Sequence, residues 1–118
     1  MCLSKSYYWR GSCIQLIEMS RVSIVKSPGK PSEEQVYAMV KKSIDLIGGI
    51  GSVVEPGQTV ALKPNVVTGR VTSPGVTTDK RVVKAMIRLC QEAEAGRVLV
   101  VEGAGYFTET AKALELSG

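Results

Sequence analysis

The sequence predicts an α/β protein, a partial parallel sheet with flanking helices in a three-layer-type arrangement, read as an incomplete domain. Three observations carry that reading. Short β-branched runs alternate with stretches of helical period in the order strand, helix, strand, loop, helix, strand, helix. Such repeats favour parallel strands joined by right-handed crossovers. Residues 97–102, RVLVVE, form a nearly continuous apolar run of the kind covered on both faces of a parallel sheet. Three strands are few for a closed α/β domain, and the chain stops after a helix where another strand is expected.

The elements follow in order. Residues 1–18 are expected to be an extension, loosely docked or disordered, upstream of a true start at Met19. They hold Tyr7, Tyr8 and Trp9 between Lys5 and Arg10, with no apolar core or cleavage site of a signal peptide. Residues 19–118 then form the amino-terminal part of an α/β domain. RVSIVK, residues 21–26, is rich in β-branched side chains and alternates Val22 and Ile24 with polar neighbours, which predicts a strand. Pro28, Gly29 and Pro31 end it. Ser32 with Gln35 three residues later makes a capping-box start, and Glu33 and Glu34 suit the helix dipole. Val36, Met39, Val40, Ser43, Ile44 and Ile47 share one helical face, and Gly48-Gly49 supplies a left-handed stop.

Residues 50–54 are too short to separate strand from turn. Glu55-Pro56-Gly57-Gln58 is a turn, and TVALK at residues 59–63 is a strand halted by Pro64. Residues 66–78 are rich in Thr, Gly and Pro and lack helical period, the mark of a functional or disordered loop. Thr78 or Asp79 caps a second helix to about residue 95, with Val82, Val83, Met86, Leu89, Cys90 and Ala93 inward and Gly96 closing it. After RVLVVE, Gly103-Ala104-Gly105 turns the chain, and Thr108 starts a last helix through residue 116.

Composition narrows the function classes. The 118 residues are 44% hydrophobic and 22% charged, ordinary for a globular protein, while aromatics at 5% leave a core of aliphatic side chains. No apolar run approaches the ~20 residues of a membrane-spanning helix. The net charge of +4 is scattered and not interleaved with aromatics, so no specific nucleic-acid footprint is present. Absent histidine removes His-dependent triads. Three cysteines, Cys2, Cys13 and Cys90, match no zinc or cluster spacing, and without a secretory signal they suit a reducing, cytoplasmic setting.

Ligands of open parallel sheets bind beyond the carboxyl ends of the strands. Those ends are Lys26-Ser27, Lys63-Pro64-Asn65 and Glu102-Gly103-Ala104-Gly105. Lys63 offers a cation, Asn65 an amide that donates and accepts, and Glu102 a carboxylate, a set suited to a small anionic or metal-bound ligand. The alternative is that Lys63 snorkels and Asn65 caps a turn. Gly103 and Gly105 permit close approach of a phosphate at a strand-to-helix turn, or serve turn geometry alone; no third fingerprint glycine and no Walker loop accompany them. Asp79 is a single acid and a poor cation site.

VSIVKSP, the capped helix, EPGQTVALKPNVV, the Thr-Ser-Pro-Gly-Val-Thr-Thr loop and RVLVVEGAG together resemble the amino-terminal part of the domain-of-unknown-function 362 family. The resemblance covers about residues 21–118. Its most specific element is Lys63-Pro64-Asn65 after a Pro-Gly turn and a strand; Ser73-Pro74-Gly75 and Glu102-Gly103 follow. Members are bacterial and archaeal proteins, usually much longer, and many carry ferredoxin-like iron–sulfur modules. The resemblance implies a truncated α/β domain of a redox-linked family whose biochemical role is not established. Lys63, Asn65 and Glu102 match its polar strand ends. This chain lacks a cluster-type cysteine run, so a cluster is expected only in a missing carboxyl-terminal portion. Two function classes follow. One is part of a redox-linked enzyme or electron-transfer protein; the other is a non-catalytic binding or assembly module. An uncovered sheet edge implies a further strand or a second copy as partner.

Overall fold

A computed structural model of the chain describes residues 6–9, 12–15, 20–27, 29–66, 77–103 and 109–111. The architecture is mixed α/β. Strands β1 (Ser6–Trp9) and β2 (Ser12–Gln15) form an antiparallel pair, Tyr7 opposite Ile14 and Trp9 opposite Ser12. This hairpin lies inside the stretch expected to be an extension, where Tyr, Trp and Ile favour extended backbone.

Helix α1 (Glu33–Asp45) begins as its sequence predicts. The Ser32 hydroxyl accepts from the Gln35 amide at 3.3 Å, and the Gln35 side chain accepts from the Ser32 amide at 2.8 Å. Val36, Met39, Val40, Ser43 and Ile44 face inward; Val36 is the most buried. The helix stops through paired bonds from Gly49 N to Ile44 O (2.9 Å) and Gly48 N to Asp45 O (3.3 Å). Gly48 takes φ +124°, which a side chain would oppose. Ile47 lies past this end and is exposed. Residues 50–52 form one 3-10 turn that sends Val54 into the core.

Strand β3 (Thr59–Leu62) and strand β4 (Arg97–Val100) pair in parallel, Val60 with Val98 and Leu62 with Val100. Helix α2 (Lys80–Glu92) is the crossover between them. It packs on α1 and on both strands, so it needs apolar residues on two sides. Leu89, Cys90 and Ala85 are almost completely enclosed. Ala85 is absent from the face expected from sequence because its small side chain carries little hydropathy signal. It is buried where α2 meets its neighbours.

The structure overturns two further expectations. The left-handed residue that ends α2 is Glu94, φ +59°, not Gly96; Ala95 N bonds Cys90 O at 3.0 Å around it. Gly96 has a different task. A Cβ there would lie 2.5 Å from the Gly57 carbonyl oxygen, so the glycine lets the 55–58 turn dock on the start of β4. Gly57 N to Glu94 O and Gly96 N to Gln58 O, each 2.9 Å, fasten that contact.

The second correction concerns residues 21–26. Among the described residues they have no ladder partner, and they are not a strand. Period-two alternation persists, but Ser23 and Val25 turn inward while Val22 and Ile24 are 84% and 86% exposed. The Ser23 and Ser43 hydroxyls share a 2.7 Å hydrogen bond that ties the segment to α1. A strand is defined by its neighbour's backbone groups, and β3 is paired only with β4 among the described residues. Residues 67–76, including Ser73-Pro74-Gly75, and most of the last expected helix lie outside the described residues; Thr110 and Ala111 are helical.

Candidate functional site

The parallel ladder brings two of the expected strand ends side by side. Val101 N bonds Leu62 O at 2.9 Å, one step beyond β4, and so aligns Lys63 with Glu102. Lys63 Nζ lies 2.6 Å from Glu102 Oε2, and Gly103 N donates to Glu102 Oε1 at 2.9 Å. The Glu102 side chain is only 6% exposed, whereas that of Lys63 is 68% exposed. The Lys63 ammonium, helped by the Gly103 amide and opposed by shielding from water, holds the Glu102 carboxyl below the usual glutamate range. The carboxylate is therefore ionised and committed inward. The ammonium faces solvent.

Asn65 is positioned by a reciprocal backbone staple. Asn65 N donates to Thr78 Oγ1 and Thr78 N donates to Asn65 O, both at 2.9 Å. This joins the end of β3 to the start of α2. Thr78 thus serves the site as well as preceding the helix. A threonine before an acidic cap was a visible signal for the helix start, but its partner 13 residues earlier was not. The cap itself is Asp79, whose side chain accepts from Arg81 N at 2.9 Å. Arg81 also engages both Asp79 oxygens through its guanidinium and donates to Pro31 O at 2.6 Å. Asp79 is held low chiefly by that guanidinium and stands as a structural anion.

Beside the strand ends is a hollow of about 180 Å³. Leu62, Pro64, Val82, Val83 and Met86 form its apolar wall, and Lys63 and Thr78 also line it. Of the sequence-derived candidates, Lys63, Glu102 and Gly103 converge, Asn65 stands next to them, and Gly105 lies outside the described residues. Lys26 and Ser27 do not join. They line a separate hollow with Lys30, Pro31 and Gln35, because residues 21–26 are not in the ladder.

A second polar group spans α1 and α2. Tyr37 O–H donates to Glu92 Oε2 at 2.7 Å, and the Arg88 guanidinium sits 3.8 Å from the Tyr37 ring centroid. Arg88 also binds Glu92 and Glu34, at 3.1 and 3.2 Å. Donation to Glu92 raises the Tyr37 phenol and lowers the Glu92 carboxyl. Its members satisfy one another, so it acts as a clasp between helices.

The iron–sulfur group implied by the resemblance does not fit these residues. A cluster takes four thiolates or a near equivalent, and the chain has three cysteines. Cys90 is fully buried, its thiol pushed up by burial. Among the described residues no three His, Cys, Asp or Glu side chains converge on one point. No helix among the described residues is long and apolar enough to cross a membrane.

The chain is 39% identical over 58 residues to Thylakoid-associated protein sll1697 of Synechocystis sp., a stretch that is 49% of this chain and 18% of that protein. The chain thus spans a small part of that relative's length. No solved structure matches this chain. The family described as Domain of unknown function (DUF362) matches residues 60–118, half of the chain, taking in β3 from its second residue, α2, β4 and the Lys63–Glu102 pair. By that match the chain belongs to the DUF362 family.

Proposed function

We propose that the carboxyl ends of β3 and β4 bind a small anionic ligand, with Lys63 as its cation. The asymmetry of the ion pair carries this reading: the carboxylate is shielded while the ammonium is open to solvent. An ammonium has three donors, and Glu102 takes one of them. Glu102 is then a positioning residue for Lys63, and the Asn65–Thr78 staple holds the strand end at a set distance from α2. Glu102 is a poor base near neutral pH because its carboxyl is already held low. The site binds and orients; no proton transfer is assigned to it.

In a longer polypeptide this site would serve a redox-linked, iron–sulfur-associated protein, with the cluster carried by other residues. The thylakoid association is the relative's alone; a cytoplasmic, reducing setting fits the odd cysteine count of this chain. Titration of inorganic phosphate at constant ionic strength, followed by amide NMR of the full chain, tests the anion site. Lys63→Ala is expected to weaken phosphate about tenfold or more, the range for a hydrogen bond to a charged group. Unchanged affinity in Lys63→Ala and Asn65→Ala, with lowered thermal stability, would leave these residues a structural role only.

A second reading has its own observation. Val22 and Ile24 are exposed, and β3 is paired on one side only among the described residues. An assembly module would cover them with a further strand or a second copy.

A further inference from the structure

We infer that the ligand of the strand-end site is amphipathic: a carboxylate or phosphate head with a short apolar group, the head on Lys63 and the apolar group in the adjacent hollow. This rests on the anion site proposed above and specifies its ligand. Lys63 belongs to both features. It is the cation of the strand-end pair and it lines the hollow whose wall is Leu62, Pro64, Val82, Val83 and Met86.

The chemistry of that wall is one-sided. Five apolar residues, drawn from β3, the residues just after it and α2, line about 180 Å³, and the polar lining comes from Lys63 and Thr78. A fully hydrated inorganic anion would gain nothing from such a wall. An alkyl group would, because each methylene removed from water is worth about fourfold in affinity. The hollow also suits a fixed ligand position. Its two walls are held together by the Asn65–Thr78 bonds, and Met86 offers an adaptable side chain on the helix side. Pockets of this composition, apolar with few polar groups, orient ligands by the polar end and hold them by the apolar one.

Acetate and hexanoate share a head and differ by four methylenes, so they separate the two contributions. Both are titrated into the full chain at constant ionic strength and neutral pH, with methyl resonances of the methionines observed. Hexanoate is expected to bind at least about tenfold more tightly than acetate and to shift the Met86 methyl, which acetate leaves in place. Lys63→Ala should weaken both acids. A filled-hollow variant, Val83→Phe, should remove the advantage of hexanoate while acetate binding persists. The Met86 methyl of the unaltered protein decides the matter even if that variant misfolds. Equal affinities with no Met86 response overturn the amphipathic ligand and leave the anion site standing. Failure of acetate, hexanoate and phosphate alike to bind removes the anion site, and this inference with it.

Discussion

RVSIVK at residues 21–26 and RVLVVE at residues 97–102 are close relatives as strings, and the fold treats them in opposite ways. Arg97–Val100 is β4, laddered to β3 and packed under α2. Among the described residues the earlier segment is extended but unladdered, held to α1 by a serine–serine bond, with Ile24 86% exposed. Between the two runs the difference is not propensity. It is whether a neighbouring backbone stands in reach and whether a helix covers the face. The polar consequences follow the same division: the strand end inside the ladder forms the Lys63–Glu102 pair, whereas Lys26 and Ser27 line a hollow apart from it.

The largest effects are expected in the laddered half. Leu89→Ala opens a cavity at a side chain 2% exposed and should cost about 2–5 kcal/mol, seen as a lower urea midpoint at constant slope. Gly96→Ala forces a Cβ toward the Gly57 carbonyl and should cost about 1–3 kcal/mol in the same assay. A loss below a few tenths would mean that the 55–58 turn moves aside freely, and the contrast between the halves would narrow.

Acid should act on the same half. Glu102, Glu92 and Asp79 all have carboxyls held below their ordinary values, by Lys63, Tyr37 and Arg81 respectively. Their contribution is present above the unfolded values near 4 and is lost as pH falls through the lower folded ones. Thermal melts should therefore decline below about pH 4, and Glu102→Gln should remove part of that decline. The 20–27 segment contains no carboxylate, so its tie to α1 is indifferent to this range.

Smaller effects belong to that segment. Ser23→Ala should cost about 0.5–1.5 kcal/mol through its bond to Ser43. Ile24→Ser should change monomer stability by no more than about 0.5 kcal/mol. If the assembly reading holds, sedimentation at tens of micromolar should show a self-associating chain whose association Ile24→Ser weakens. A monodisperse monomer would count against that reading and leave the anion site unaffected.

Local signals were legible where their cause lies within a few residues. Ser32 and Gln35 announce the start of α1, Gly48 its end, and Pro64 the end of β3, because caps, positive φ and a missing amide are chain-local. Lys63, Asn65 and Glu102 were visible as polar groups at strand ends, and the register of β3 on β4 is what makes Lys63 and Glu102 a pair. Thr78 as the partner of Asn65, Tyr37 as the partner of Glu92 and Glu34 as the partner of Arg88 lie 13 to 55 residues apart in sequence and leave no local trace. Gly96 was visible as a glycine, but its purpose was not. Its constraint comes from a turn nearly forty residues earlier.

Residue type and short spacing alone were enough for the α/β class, the capping box and glycine stop of α1, the start of α2 and the candidates Lys63, Asn65 and Glu102. Tertiary structure decided which β-branched run is a strand, which charge is shielded and which residues share a hollow. Those outcomes depend on backbone partners and covering surfaces supplied by distant parts of the chain, and no window of neighbouring residues contains them.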